Sequence, residues 1–284
     1  MPSLGERLLY KVAKRWIAGY TMEDAINAAH AANQRKIQAI LNRLGEHTPD
    51  RKLIDYYKEE YLKLVDSITH EKIQGSISVK PSQIGLASDL SLYKKNLVNI
   101  VEEALGEKQF VWLDMENSPY TENSVNVYRD ILASGRDDVG MCLQANMRRS
   151  EKDLKELLPL GAKIRLVKGA YPETAEVAYK RRSEIDENYR NLMTILFEEA
   201  HFFAIGTHDE KMIQQARELS KDHKTDFEFQ LLKGVRDDLK TSLLSEGYRV
   251  SEYIPYGPEW YNYSKRRIRE RKRNILLLLR SITG

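Results

Sequence analysis

Eight short apolar runs, each followed by a charged stretch with helical periodicity, alternate along this chain of 284 residues. The runs lie near Ile37 to Leu44, Ser76 to Lys80, Phe110 to Met115, Gly140 to Ala145, Lys163 to Lys168, Phe202 to Thr207, Phe227 to Leu232 and Arg249 to Pro255. Good helix formers fill the intervals, as in Arg51 to Ile68, Asp89 to Leu105, Glu151 to Leu158, Glu173 to Glu199 and Asp209 to Ser220. A period that switches between two and about 3.6 marks successive βα units. Eight units with short connections favour a closed parallel barrel, with an open doubly wound sheet as the alternative. The first run is the weakest, because Asn42 and Arg43 interrupt it. Ahead of the repeat, about Leu4 to Gln34 has helical spacing, and Thr21 before Glu23 and Asp24 reads as a helix cap. The expectation is an α/β chain: an N-terminal helical segment over 1–34 and a barrel domain over 35–284, with no Pro, Gly or Ser-rich linker dividing it.

Composition narrows the class. With 42% hydrophobic and 31% charged residues the chain has material for a core and is too mixed for disorder. The longest apolar run, Ile275 to Leu279, is five residues, far short of the ~18 that a membrane span needs. Charges at Glu6, Arg7, Lys11, Lys14 and Arg15 exclude a secretory signal, so a cytoplasmic location is expected. Cys142 is the only cysteine, which rules out an internal disulfide and a multi-cysteine metal site. The net charge of +3 is unevenly spread, with seven basic residues and one acid between Lys265 and Arg273. An anionic substrate, nucleic acid or a plain solvated helix face would each account for that cluster.

In a barrel, chemistry gathers at the carboxyl ends of the strands, and here those ends are polar. Lys80, Asp114 and Gln144 close their runs, Arg165 and Lys168 flank the next, and Thr207 with His208, Gln230 and Tyr253 come further on. One polar strand end means little, but a series on consecutive units is harder to dismiss. Lys168-Gly169-Ala170 joins a charge to a residue that lets backbone amides approach an anion. His208 has no second His or Cys at ligand spacing, so no metal is expected. Near the end, Tyr263, Arg266, Arg267 and Glu270 share one face of a predicted helix. Two adjacent guanidinium groups there suit a small carboxylate, the alternative being an exposed helix with an Arg266–Glu270 pair.

Six strings occur in order: Ile77-Ser78-Val79-Lys80, Leu113-Asp114-Met115-Glu116, Arg165-Leu166-Val167-Lys168-Gly169-Ala170-Tyr171, Thr207-His208, Phe227-Glu228-Phe229-Gln230 and Arg266-Arg267-Ile268-Arg269-Glu270. From about Tyr20 to the C-terminus the chain resembles proline dehydrogenase. The resemblance implies a single (βα)8 TIM-like barrel with a final helix over the active site, and FAD bound without a Gly-x-Gly-x-x-Gly fingerprint. By matched position it implies FAD contacts from Met115, Gln144, Arg165, Lys168, Gly169, Ala170, Thr207, His208, Gln230 and Glu270. Lys80, Arg266 and Arg267 would hold the carboxylate of L-proline, Tyr253 and Tyr263 would wall the ring, and Asp114 with Arg165 would form the active-site pair. Asp114 would either organise deprotonation of the amine or pair with Lys80.

The implied reaction yields Δ1-pyrroline-5-carboxylate and sends electrons to a quinone. A separate pyrroline-5-carboxylate dehydrogenase and no nucleic-acid partner are expected. The basic, partly apolar stretch from Tyr10 to Ile17 would either touch a membrane peripherally or cover the barrel. Two other readings stay open on the residues alone: a nucleic-acid binder using Lys265 to Arg273, and a flavoenzyme for another cyclic amino acid.

Overall fold

The computed structural model describes residues 4–45, 48–261 and 263–265. Strands β1 (Gln38–Arg43), β2 (Gly75–Val79), β3 (Val111–Leu113), β4 (Val139–Gln144), β5 (Lys163–Val167), β6 (Phe202–Gly206), β7 (Asp226–Leu232) and β8 (Arg249–Tyr256) pair in sequence order, all parallel, and close into a barrel. The connections are helical: α3 (Arg51–His70), α4 (Leu90–Gly106), α5 (Ser118–Ala133), α6 (Ser150–Leu157), α7 (Arg182–Glu199), α8 (Glu210–Asp222) and α9 (Asp237–Ser245). Each of the eight apolar runs is a strand, and the fold is the (βα)8 barrel that their alternation calls for.

Side-chain alternation divides each strand between two environments. Val111 and Leu113 pack outward among the helices, whereas Trp112 meets Ile40 and Ala204 in a separate interior layer, with Phe110, Phe202 and Tyr253 against it. Ile77 and Val79 likewise join the outer core. The same period turns Ser78 and Lys80 inward, as it does Asp114, Arg165, Glu228 and Gln230. The barrel interior therefore changes from an aromatic floor to a polar upper layer, with the Arg165 guanidinium 5.2 Å from the Trp112 ring centre.

Two helices precede the barrel, α1 (Leu4–Ala13) and α2 (Met22–Gln34). Thr21 Oγ1 accepts from the Asp24 amide at 3.1 Å and Asp24 Oδ2 accepts from the Thr21 amide at 3.0 Å, a reciprocal cap. The buried Ala25, Ala29 and Ala32 bring α2 close to β1 and β8. That is the place a helix following β8 takes in a regular barrel. The chain after β8 turns instead toward β1 and α1. There Trp260 and Tyr263 pack with Ala13, Trp16, Ile17 and Leu44, so this part of the Tyr10 to Ile17 stretch covers the segment after β8. No helix among the described residues is long and apolar enough to cross a membrane.

Two expectations need correction. Asn42 and Arg43 do not weaken β1; both are buried, and they continue a six-residue register with β8 that ends at Arg43 opposite Tyr256. Asn42 Nδ2 donates to Ser78 O at 2.8 Å and Arg43 reaches Glu259, while Asn42 Oδ1 is buried with no hydrogen-bond partner among the described residues. Nor does a helix run from Glu173 to Glu199, since α7 begins at Arg182. Glu173 instead accepts from the Ser118 amide at 2.7 Å and from Ser118 Oγ at 2.6 Å, capping α5, and Ala178 bridges to Met147. The expected final helix is described at Trp260, Tyr261 and 263–265; Arg266, Arg267 and Glu270 lie outside the described residues.

Candidate active site

Asp114 follows β3 directly, and its amide donates to Val79 O at 2.9 Å, which fixes the carboxylate over the barrel axis. Oδ1 accepts from Ser78 Oγ at 2.7 Å and from the Arg165 guanidinium. Oδ2 accepts from the Tyr253 hydroxyl at 2.6 Å and lies 3.3 Å from Lys80 Nζ. Four strands thus meet at a single buried point, β2 and its end supplying Ser78 and Lys80, and β3, β5 and β8 supplying Asp114, Arg165 and Tyr253. Burial alone would push the Asp114 carboxyl up; Lys80 and Arg165, with the hydrogen bonds from Tyr253 and Ser78, outweigh it and hold it at about 2. The opposite balance applies to Arg165, where burial disfavours the charge and Asp114 more than restores it. The Tyr253 phenol is pushed well up by burial and by the Asp114 charge, so it remains a donor.

Arg165 also donates to Ser78 Oγ at 3.1 Å and to Gln230 Oε1 at 3.4 Å. Behind it, Gln230 Nε2 donates to Glu228 at 2.5 Å and Ser251 Oγ donates to the other Glu228 oxygen at 2.6 Å. Burial pushes the Glu228 carboxyl up. Lys80, Asp114, Arg165, Gln230 and Tyr253, all singled out on sequence, therefore meet in one network. Ser78, Glu228 and Ser251 were not singled out. A signal existed for all three, since each stands two residues before a chosen residue on the same strand face.

Met115, Gln144, Lys168, Gly169, Ala170, Thr207 and His208 line the rim from β3 to β6, whereas Tyr263 packs with Trp16 and Leu44. Met115 is buried beside Asp114, and Gln144 Nε2 donates to Glu116 O at 2.9 Å. Glu116 in turn accepts from the Ser82 amide at 2.7 Å and Ser82 Oγ at 2.6 Å, joining the loops after β2 and β3. Thr207 is buried, and His208 Nε2 accepts from the Leu232 amide at 3.0 Å, which leaves Nδ1 as the ring donor. Lys168 bridges Asp186 and Asp209, the latter at 2.7 Å, and Arg182 reaches Asp209 at 2.9 Å. Ala170 is exposed beside it. Gly169 has a φ of +100°, and a Cβ there would collide with Asn146 Oδ1. That oxygen is buried with no hydrogen-bond partner among the described residues. Asn146 was missed by sequence reasoning, although it lies two residues beyond Gln144. Burial pushes the Cys142 thiol up, in keeping with a packing role.

Comparison with known proteins follows the same line. The model of the proline dehydrogenase family matches residues 25–275. The chain is 32% identical over 287 residues to proline dehydrogenase 2 of Bacillus subtilis, covering 97% of this chain and 94% of that protein. It is 33% identical over 286 residues to the proline dehydrogenase of Deinococcus radiodurans, covering 98% and 92%. Among solved structures, proline utilization A from Bdellovibrio bacteriovorus inactivated by N-propargylglycine superposes with a TM-score of 0.87 at 23% identity. That match covers 93% of this chain and 33% of the larger protein, and it speaks for the fold. With the family match spanning most of its length and both relatives aligned almost end to end, the chain belongs to the proline dehydrogenase family of oxidoreductases.

Proposed function

We propose that this protein is an FAD-dependent proline dehydrogenase that oxidises L-proline to Δ1-pyrroline-5-carboxylate. The observation that carries the reading is the buried junction of Lys80, Asp114, Arg165 and Tyr253 inside the barrel, where β2, β3, β5 and β8 bring them together. Lys80, with Arg266 and Arg267, holds the substrate carboxylate through charge-assisted hydrogen bonds. Tyr253 and Tyr263 wall the apolar ring. Hydride leaves the carbon next to nitrogen with help from the nitrogen lone pair, so the amine must be neutral. Asp114, held at about 2, is too weak a base to take that proton at neutral pH. Its role is to keep Lys80, Arg165 and Tyr253 at fixed positions around the substrate.

The rim residues fit a flavin nucleotide. Gly169 lets Asn146 pack where a Cβ would stand, and the buried Asn146 Oδ1, with no hydrogen-bond partner among the described residues, is an acceptor for such a group. Met115, Gln144, Arg165, Lys168, Gly169, Ala170, Thr207, His208, Gln230 and Glu270 are the residues that would hold FAD. The bound cofactor supplies a two-electron acceptor for the hydride, with a quinone as the next acceptor. Arg165 contributes a permanent positive charge in a water-poor setting, where it stabilises negative charge that develops during reduction. A separate pyrroline-5-carboxylate dehydrogenase would consume the product.

An anaerobic visible spectrum before and after L-proline tests this directly. Flavin bands that bleach on addition are the expected result. Bands that respond only to another cyclic amino acid would move the substrate assignment, and a colourless protein that FAD cannot reconstitute would overturn the reading.

A further inference from the structure

Glu228 is a second carboxyl inside the barrel that the chemistry above does not use, and it is 5% exposed. It stands on β7 below Gln230, level with the apolar floor, since Ala204, its register partner on β6, packs there with Trp112 and Ile40. Burying a carboxyl among such neighbours is costly unless donors meet its oxygens. Both oxygens are met, one by Gln230 Nε2 at 2.5 Å and the other by Ser251 Oγ at 2.6 Å. Burial pushes the carboxyl up, while these two bonds and the charges of Arg249 and Arg165 act against it. An apolar residue of like volume would often fill such a place at no loss of stability, so the carboxyl calls for a role in geometry.

That role is visible in Gln230. Its amide stands between a carboxyl that accepts through both oxygens and a guanidinium that can only donate. The NH2 group therefore turns to Glu228, and Oε1 is left to accept from Arg165 Nη1 at 3.4 Å. Arg165 and Glu228 are both register partners of Ala204, so only a methyl group stands between their strands at this level. The other guanidinium nitrogen, Nη2, is held by Ser78 Oγ at 3.1 Å and by Asp114. Arg165 is thus fixed by two separate arms, and the second arm ends on Glu228. Without that carboxyl the amide is free to turn over and set its NH2 group against the guanidinium, two donors face to face.

We infer that Glu228 is a positioning residue: it fixes the Gln230 amide with its oxygen toward Arg165, holds that guanidinium at two points instead of one, and so sets the rate at which the flavin takes hydride. This rests on the flavin and the substrate assigned under the proposed function. The test compares Glu228→Leu, Glu228→Gln, Gln230→Leu and the pair Glu228→Leu with Gln230→Leu in the full-length, FAD-loaded protein. It reads the limiting rate of anaerobic flavin bleaching by saturating L-proline, with KM, flavin content and Tm alongside. Glu228→Leu is expected to slow bleaching about tenfold with flavin content kept and KM little changed, because a cation turned away from developing negative charge is lost to the transition state and not to substrate binding. Glu228→Gln is expected to recover most of that loss, since its oxygen can still accept from Gln230 and its NH2 group can donate to Ser251 Oγ. The pair is expected to bleach no more slowly than Gln230→Leu alone, the mark of two residues acting in series. If Glu228→Leu lowers Tm and leaves the rate unchanged, the carboxyl is structural and the inference fails alone. Losses that multiply in the pair also sink it, because Glu228 then does not act through Gln230. If L-proline fails to bleach the wild type, the proposed function falls and takes the inference with it. Should Glu228→Leu not fold, Gln230→Glu decides the matter: alone it sets two acceptors face to face, and adding Glu228→Gln restores a donor between them and is expected to restore part of the rate. No recovery in that double variant would overturn the inference.

Discussion

Two carboxylates at the same end of the barrel, Asp114 and Asp209, are both held at about 2, yet their surroundings differ in kind. Two cations, Lys80 and Arg165, close on Asp114 inside the barrel. On the rim the charges balance, for two carboxylates, Asp186 and Asp209, face two cations, Lys168 and the half-exposed Arg182. The inner set is sealed by Trp112 and Tyr253, whose rings lie 5.2 and 5.6 Å from the Arg165 guanidinium. The outer set opens to water through Arg182 and joins β5 to α7 and α8. A strongly lowered carboxyl therefore does not by itself mark a reactive centre. What separates the two is whether one sign is outnumbered and whether water can screen the remainder.

The largest effect is expected inside. Asp114→Asn keeps the shape and removes the charge, leaving Lys80 and Arg165 buried side by side. Breaking a buried ion pair in this way costs about 3–5 kcal/mol, which corresponds to a Tm lower by roughly 10 °C and loss of proline oxidation. The pH dependence has a definite sign. The folded value of about 2 lies below the ordinary ~3.9 of an unfolded chain, so ionised Asp114 favours the folded state. That contribution, a few kcal/mol, is fully present above roughly pH 4 and is lost as pH falls through 2. Tm measured between pH 5 and 2 is expected to fall less steeply in Asp114→Asn than in the wild type. Equal slopes would mean that the carboxylate is not held by its neighbours.

How much of this could be read from the chain depends on whether each residue's partners are local. The eight strands were legible because strands buried on both faces leave short apolar runs between helix-forming stretches. Lys80, Asp114, Arg165, Gln230 and Tyr253 were legible as strand-end polar residues, because the period of two fixes which side they face. Asn42 and Arg43 were misread because the groups they reach lie 36 and 216 residues away. The start of α7 was misplaced for a similar reason, since Glu173 is drawn to Ser118, 55 residues earlier. Lys168 beside Gly169 reads as an anion site, and nothing local shows that Asp186 and Asp209 converge on it. The rim's occupancy by carboxylates is a property of the closed barrel.

Gly169 lies between the two clusters and gives a second, smaller test. Placing alanine at its φ of +100° costs about 1–3 kcal/mol and drives a methyl group into Asn146. Gly161 supplies a control, because it has a φ of +77° and a Cβ added there would meet no atom within 4 Å. Both substitutions are expected to lower Tm by a few degrees. Only Gly169→Ala is expected to weaken FAD retention, by about tenfold, read as flavin absorbance per protein after dialysis. Equal flavin content in the two variants would remove the rim from the cofactor site.

The smallest effect is expected at Asp209, where the contrast between the two carboxylates is most exposed to disproof. Asp209→Asn leaves both Lys168 and the half-exposed Arg182 with Asp186, so the loss should be about 1 kcal/mol, a Tm lower by a few degrees. Salt separates the two cases further. At 1 M salt the screening length shrinks to about 3 Å, which reaches the half-exposed Arg182 and not the sealed Arg165. The Tm difference between wild type and Asp209→Asn is therefore expected to shrink in salt, while that for Asp114→Asn persists. If both differences respond alike, water reaches both clusters, and enclosure cannot be what sets the inner carboxylate apart from the outer one.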